Sequence, residues 1–234
     1  MSEYLEGVAG GAMGEDPGNA YDRVPVPDGA RLILATKNEH KVVELREILR
    51  ASMPELPEDA VISAAELDVD DPVENGRTFA ENALIKARAI CAATGLPAAA
   101  DDSGLCVAIM GGAPGIFSAR WSGRHGDDDA NNKLLLAQMA DVEDHDRQAS
   151  FICAAALVTP GGQEQVEEGE MRGFLRTSPA GDGGFGYDPL LQPEGQSRSV
   201  AQLSAQEKHA ISHRGQAFRQ LAPFIVAALE EQRH

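Results

Sequence analysis

The 234-residue chain has no apolar run approaching the roughly 20 residues that span a bilayer. It also lacks a basic-then-apolar leader at its N-terminus. A soluble cytoplasmic protein with no membrane partner is the expectation. Positive charge is in short supply: 20 Lys and Arg stand against 37 Asp and Glu, for a net charge of −17 and a pI near 4.6. That balance argues against non-specific binding to nucleic acid or anionic lipid. A small phosphorylated ligand remains compatible, because a few local cations and a metal can reverse the field inside a cleft. Cysteine is scarce as well. Cys91, Cys106 and Cys153 have apolar neighbours, an odd count and no CxxC spacing. They read as reduced, mostly buried thiols and not as a zinc site. No internal repeat occurs.

What the chain does have is 43% hydrophobic residues, enough to bury a substantial core. Residues 1–29 are rich in Gly, Glu, Asp and Pro without apolar periodicity, and read as a disordered acidic tail. Order is expected from Arg31, and 30–234 read as a single domain. Leu32 to Ala35 is a short buried strand, Thr36 to His40 a polar turn, and Val42, Leu45, Ile48 and Leu49 recur at helical spacing. Val61 and Ile62 begin another short strand. Thr78 and Glu81 form a capping box ahead of a helix striped by Phe79, Ala83, Leu84, Ala87 and Ile90, which Gly95 ends. Ala98 to Asp101 is the next strand. Asp127 to Asp129 cap a helix through Leu134 to Met139, and Phe151–Val158 and Val166–Leu175 pair across Gly161-Gly162. Ser204 and Glu207 make a second capping box. The last helix, from about Gly215 to Leu229, contains Pro223, expected to kink or split it. Strands alternating with helices point to an α/β fold, whose ligands sit at strand carboxyl ends.

Ala100-Asp101-Asp102-Ser103-Gly104 is the most informative run. Two adjacent carboxylates at a strand's end suit a divalent cation, or one of them can take a proton from water, and the glycine lets backbone approach a ligand. The plain alternative is a solvated turn. Thr36-Lys37-Asn38-Glu39-His40-Lys41 gathers hydroxyl, amide and ammonium groups where a helix begins, which attracts anions. Lys41 reaches a phosphate from there, or the segment is an ordinary cap. Glu44 is a surface partner of Lys41 or a carboxylate aimed at the cleft. Glu74, in the acidic loop Asp68 to Gly76, belongs to a solvated charge run or joins Asp102 around Mg²⁺. Gly181 to Pro189 is glycine-dense and offers Phe185 and Tyr187 for stacking on a base, unless it is only a flexible loop with a hydrophobic anchor. Lys208 and Ser212-His213-Arg214-Gly215 suit phosphate or a carbonyl oxygen. Ser118 and Arg120, within Ala113 to Arg120, face the cleft or pack the loop.

In this order and spacing, these segments resemble the inosine triphosphate pyrophosphatase family from about Arg31 to Leu221. The resemblance implies a long mixed central sheet flanked by helices, with two lobes around a nucleotide-binding cleft, and a homodimer. It implies Mg²⁺-dependent hydrolysis of ITP, dITP and XTP to the monophosphate and pyrophosphate, cleansing the nucleotide pool. Asp102 matches the catalytic carboxylate, proton acceptor and metal ligand, and Glu74 a second metal ligand. Thr36, Lys37, Asn38 and Lys41 match the triphosphate loop, and Ser103 a substrate contact. Phe185, Gly186, Tyr187, Asp188, Lys208, His213 and Arg214 match the base and phosphate pocket. Asp101 and Glu44 remain open as assistants to the water. The family's first loop usually reads Thr-Gly-Asn, so Lys37 is a departure. It is costly if that position needs positive φ; otherwise it adds a phosphate contact or points to solvent. A pyrophosphatase for modified pyrimidine nucleotides is the competing enzyme reading, and a non-catalytic nucleotide-binding module the competing class. The Gly-Phe-Gly-Tyr-Asp and Ser-His-Arg motifs argue against the first, and the retained carboxylates against the second.

Overall fold

A computed structural model of the chain describes residues 23–232 apart from Asn38. Six strands make one mixed sheet in the order β2-β1-β3-β4-β5-β6. These are β1 (Leu32–Leu34), β2 (Val61–Ser63), β3 (Ala98–Val107), β4 (Gln148–Val158), β5 (Glu164–Leu175) and β6 (Leu191–Pro193). β1 runs parallel to β2 and β3, and the remaining pairs are antiparallel. Among the described residues there are five α-helices: α1 (Glu39–Ser52), α2 (Phe79–Thr94), α3 (Asp128–Gln138), α4 (Ala205–Ile211) and α5 (His213–Glu231).

Strand alternation decides which helix each residue of β3 meets. Ala99 lies with Cys153, Ala155 and Leu157 against α1 and α5, where Leu45, Leu49, Phe218 and Leu221 are buried. Ala98 and Ala100 lie on the other face, with Ala156 and Val158 against Ala83, Ala87 and Ile90 of α2. A third cluster fills the β4–β5–β6 end, with Leu105, Leu135, Phe151, Met171 and Leu190. Small alanines along β3 and β4 let both helix layers approach the sheet closely.

The α2 cap is half a capping box. Thr78 Oγ1 accepts from Glu81 N at 3.1 Å, but the Glu81 carboxylate takes the N–H of Arg77 instead of that of Thr78. Gly95 closes the helix at φ +73°, a conformation glycine adopts without steric cost. The Ser204–Glu207 box is complete. Cys91 and Cys153 are buried and Cys106 half-buried, all as free thiols.

Three expectations are corrected. β3 does not stop at Asp101: it pairs with β4 without interruption from Ala98 to Val107, so the Asp-Asp pair lies inside a strand. α5 begins at His213, capped by Ser212 Oγ accepting from Gly215 N at 2.8 Å, and continues past Pro223 without splitting. An interior proline costs a helix about 3 kcal/mol. Burial of Phe218, Leu221, Ile225 and Leu229 holds this one together across it. Order also precedes Arg31. Val24 donates to Ala93 O at 2.9 Å, and Val24 and Val26 pack against the α2 layer. Proline after each of these valines keeps the segment extended without a readable period. The remainder of the expected tail, residues 1–22, lies outside the described residues. Among the described residues no helix is long and apolar enough to cross a membrane.

Candidate active site

The site follows from a mismatch of strand lengths. β1 pairs with β3 only at Ala98 and Ala99. The far end of the same edge is covered by the turn at Ala113–Arg120: Val107 N donates to Ala113 O at 3.0 Å and Leu105 N to Ser118 Oγ at 2.9 Å. Between these covers, Asp101 to Gly104 present an edge that no strand occupies. The N–H of Ser103 meets Asp102 Oδ1 at 3.0 Å.

The two carboxylates leave this window on opposite faces. Asp101 points into the α1–α5 layer and is buried. Both of its oxygens accept from Lys41 Nζ at 2.9 Å, and Oδ2 also accepts from Arg214 Nε at 3.1 Å. Burial alone would raise its pKa, but the two cations outweigh it and hold the carboxyl far below the usual range. Asp101 is therefore a fixed anion that positions two cations.

Asp102 points to α2. Its Oδ2 accepts from Asn82 Nδ2 at 3.0 Å, and Oδ1 lies 3.8 Å from Lys86 Nζ. Lys86 also stands 3.4 Å from Glu74 Oε1, so one ammonium draws the two acidic segments together. Asn82 Oδ1 accepts from Gly76 N at 2.9 Å, which ties the Glu74 loop to α2. Burial, the largest influence, pushes the Asp102 carboxyl up, and nearby Glu74 and Asp101 add to it against Lys86 and Asn82. No cluster of three or more His, Cys, Asp or Glu side chains suited to a metal occurs among the described residues. Two half-open carboxylates with hard oxygens instead fit an ion that completes its shell with water and phosphate, as Mg²⁺ does.

On the Asp101 face lies a cavity of about 620 Å³, bordered by Lys41, Ser103, Phe185, Asp188, Lys208 and His213 among others. Phe185 is 61% exposed, and Lys208 Nζ sits 4.8 Å from its ring centroid. The Lys208 ammonium is bound to Asp188 Oδ2 at 2.6 Å, and the same oxygen accepts from Phe185 N at 3.0 Å. His213 stacks on Phe151 with centroids 5.1 Å apart. Burial and the neighbouring Arg214 lower its pKa to about 3, so it is neutral at pH 7. Arg214 Nη2 lies 3.5 Å from Ser103 Oγ.

Most of the residues singled out from the sequence converge here, with qualifications. Tyr187 does not offer a stacking face: it is 4% exposed, its ring belongs to the third core cluster, and its hydroxyl donates to Ser118 O at 2.9 Å. Lys37 turns to Asp71, 2.7 Å away. Thr36 is fixed through its carbonyl, which accepts from Ser63 Oγ at 2.6 Å. Asn38 lies outside the described residues. Glu44 approaches Ser212 Oγ and His209 Nδ1, each at 3.5 Å, on the cavity side and away from Asp102. Ser118 is buried in the turn, and Arg120 sits over the Phe117 ring at 5.4 Å. Sequence reasoning missed Asn82 and Lys86 as site residues. Their signal was a polar pair one turn apart on a helix whose stripe is otherwise apolar. It also missed Asp128 and Asn132, which hold the Gly186 peptide from α3.

Comparison with known proteins gives a consistent answer. The dITP/XTP pyrophosphatase of Streptomyces coelicolor is 62% identical over 195 residues, covering 83% of this chain and 96% of that protein. The protein of the same name from Frankia alni is 56% identical over 200 residues, again with 83% and 96% coverage. Among solved structures, a nucleoside-triphosphatase, dITP/XTP pyrophosphatase, from Mycobacterium abscessus superposes with a TM-score of 0.71 at 46% identity. It covers 83% of this chain and 99% of its own. A HAM1 protein from Coxiella burnetii superposes with a TM-score of 0.77 at 40% identity, with 85% and 99% coverage. The model of the Ham1 family matches residues 32–224, and the chain belongs to the Ham1 family.

Proposed function

We propose that this chain is a nucleoside triphosphate pyrophosphatase that hydrolyses dITP, ITP and XTP to the monophosphate and pyrophosphate. The observation that carries the reading is the open window of β3. It delivers an acidic pair with an ammonium to one face and a cationic, aromatic-rimmed cavity to the other, within one strand's width. The names of the relatives, at up to 62% identity, supply the substrate class.

The roles follow from position. The purine enters the cavity and stacks on Phe185, which is 61% exposed and carries the Lys208 ammonium over its ring. Lys208, already committed to Asp188, and His213, kept neutral, donate to the base edge or phosphate without adding mobile charge. The 6-oxo group of hypoxanthine and xanthine is an acceptor that adenine lacks, and Arg214 and His213 are the donors near it. The phosphates cross the window past Ser103, with Lys41, Thr36 and Lys37 at the α1 end. Asp102 and Glu74 hold Mg²⁺, which when bound screens phosphate charge and polarises the phosphoanhydride. Asp102 accepts the proton of the attacking water. Asn82 keeps that carboxylate turned toward α2. Lys86 neutralises the two carboxylates between turnovers and charge on the phosphates during them. Asp101 holds Lys41 and Arg214 in place and takes no proton.

Cytoplasmic location, a homodimer and the division into two lobes belong to the same proposal. Sedimentation at micromolar concentration tests the dimer. The function is tested by pyrophosphate release from ITP, dITP, XTP, GTP, ATP and dUTP, with Mg²⁺ and with chelator. Metal-dependent turnover of dITP and XTP well above GTP and ATP is expected. Absence of turnover with every triphosphate removes the enzyme reading, and a preference for dUTP removes the purine assignment.

A further inference from the structure

Phe185 is the one large exposed aromatic at the cavity rim among the described residues, and it sits in a run of glycines that cannot hold it by packing. Gly181, Gly184 and Gly186 all have positive φ, at +83°, +78° and +61°. A ring carried on such a segment presents a stacking face only if something else fixes the backbone. On one side Asp188 Oδ2 accepts from Phe185 N at 3.0 Å; on the other the fixation comes from α3, a helix of the third core cluster. Asp128 Oδ2 accepts from Gly186 N at 2.6 Å, and Asn132 Nδ2 donates to Gly186 O at 2.9 Å. Asp128 and Asn132 are one helical turn apart, so one face of α3 holds both the N–H and the C=O of the same residue. Asn132 Oδ1 is buried and has no hydrogen-bond partner among the described residues, which is unfavourable in itself. Packing alone therefore does not explain that amide, whereas its bond to Gly186 does. The amide cannot be turned round, because Oδ1 would then face the Gly186 carbonyl.

α3 is itself anchored independently of the loop. Its C-terminal carbonyl at Met139 accepts from the buried guanidinium of Arg147, which also donates to Val142, Leu175 and Arg176 carbonyls. The grip on Gly186 is thus referred to the sheet, in addition to the hold that Asp188 has on Phe185 N within the loop.

We infer that Asp128 and Asn132 are positioning residues that set the plane of Phe185 and thereby the affinity for the purine, without touching the phosphate end of the site. This rests on the base-stacking role given to Phe185 above. The test separates the two ends of the substrate with two probes, both measured by calorimetry. One is dIMP, which carries the base; the other is inorganic tripolyphosphate, which does not. Asp128→Ala removes the acceptor, whereas Asp128→Asn keeps an oxygen in its place. A hydrogen bond to a charged group corresponds to a change of about tenfold or more. Asp128→Ala is expected to weaken dIMP about tenfold and tripolyphosphate less than twofold, with Asp128→Asn restoring dIMP binding to within about threefold of wild type. Asn132→Ala, which removes one neutral bond, is expected to weaken dIMP about threefold and stands in if Asp128→Ala does not fold. Equal weakening of both probes, failure of Asp128→Asn to restore, or absence of dIMP binding to the wild type would each overturn the inference. Turnover of dITP by the wild type is run alongside. Its absence removes the enzymatic reading and leaves the binding comparison intact.

Discussion

A carboxylate's role here is decided by the face of β3 from which it leaves. Asp101 and Asp102 are neighbours in sequence, yet one is buried between two cations and the other stands half-open beside Asn82, Lys86 and Glu74. The two asparagine substitutions should therefore diverge. Asp102→Asn is expected to fold and bind dITP but to lose at least about a hundredfold in kcat, the usual scale of general-base removal. Near wild-type rates would exclude Asp102 as proton acceptor. Asp101→Asn leaves two largely buried cations without their counter-ion. It is expected to lower unfolding free energy by about 3 kcal/mol in denaturant titrations, in addition to any kinetic loss. Lys37 is the opposite kind of residue. Its pair with Asp71 is exposed, with side chains 56% and 74% accessible, so it contributes no more than about 1 kcal/mol and is easily exchanged for a phosphate. Lys37→Ala should leave stability within that margin and raise KM for dITP several-fold. An unchanged KM would place Lys37 outside the substrate site.

At the scale of elements, the site is made by where strands stop. β1 ends at Leu34 while β3 continues to Val107, and the Ala113–Arg120 turn covers the edge only from Leu105 onward. Gly104 sits at that junction. A Cβ there would come within 2.5 Å of Gly115 O and Ser118 Oγ, so the strand and the turn can meet only at glycine. Gly104→Ala is accordingly expected to cost about 1–3 kcal/mol of stability, the range of overpacking, and to lower activity by displacing the turn from the window. A denaturant midpoint equal to wild type would refute the close approach. This arrangement also explains what could be read in the sequence. Apolar period and caps were enough for β1, α1, α2 and the β4–β5 hairpin, because those signals are local. The clusters of site residues were legible because their polar side chains interrupt apolar runs. The passage of β3 through Asp101-Asp102 was not. A polar pair inside a strand looks like a turn until it is known that the neighbouring strand is short and that cations wait on one face. Asn82 and Lys86 show in the sequence only as a polar pair in the apolar stripe of α2, and their role is not readable until Asp102 is placed opposite them. Tyr187 and Phe185 are both aromatics of one glycine-rich run, and only the packing of Tyr187 in the third core cluster, with its hydroxyl on Ser118 O, separates the buried ring from the exposed one.

For the whole molecule, these local choices fix how stability depends on pH. His213 is held neutral in the fold, with a pKa of about 3 set by burial and Arg214, against about 6.5 in an unfolded chain. Because the folded value is lowered, the unfolded state binds the extra proton between these limits. Stability is fully present above about pH 6.5 and falls as the pH drops, by about 1.4 kcal/mol per pH unit for one proton. Asp101 acts in the same direction in a lower window. Its folded pKa is depressed by Lys41 and Arg214, so its contribution is complete above the unfolded value near 4 and is lost below it. The molecule also carries a net charge of −17 at pH 7, and protonating surface carboxylates relieves that self-repulsion on the way down. That relief opposes the two losses, but it is spread over many exposed groups and screened by salt. Urea unfolding at 0.15 M salt is therefore expected to show free energy falling from about pH 6.5 and more steeply below about pH 4. His213→Asn should flatten the upper segment and leave only the Asp101 share of the lower one. A wild-type profile that is level between pH 7 and 4.5, or a His213→Asn profile that still falls there, would show that the buried imidazole is not the group that proton uptake destabilises.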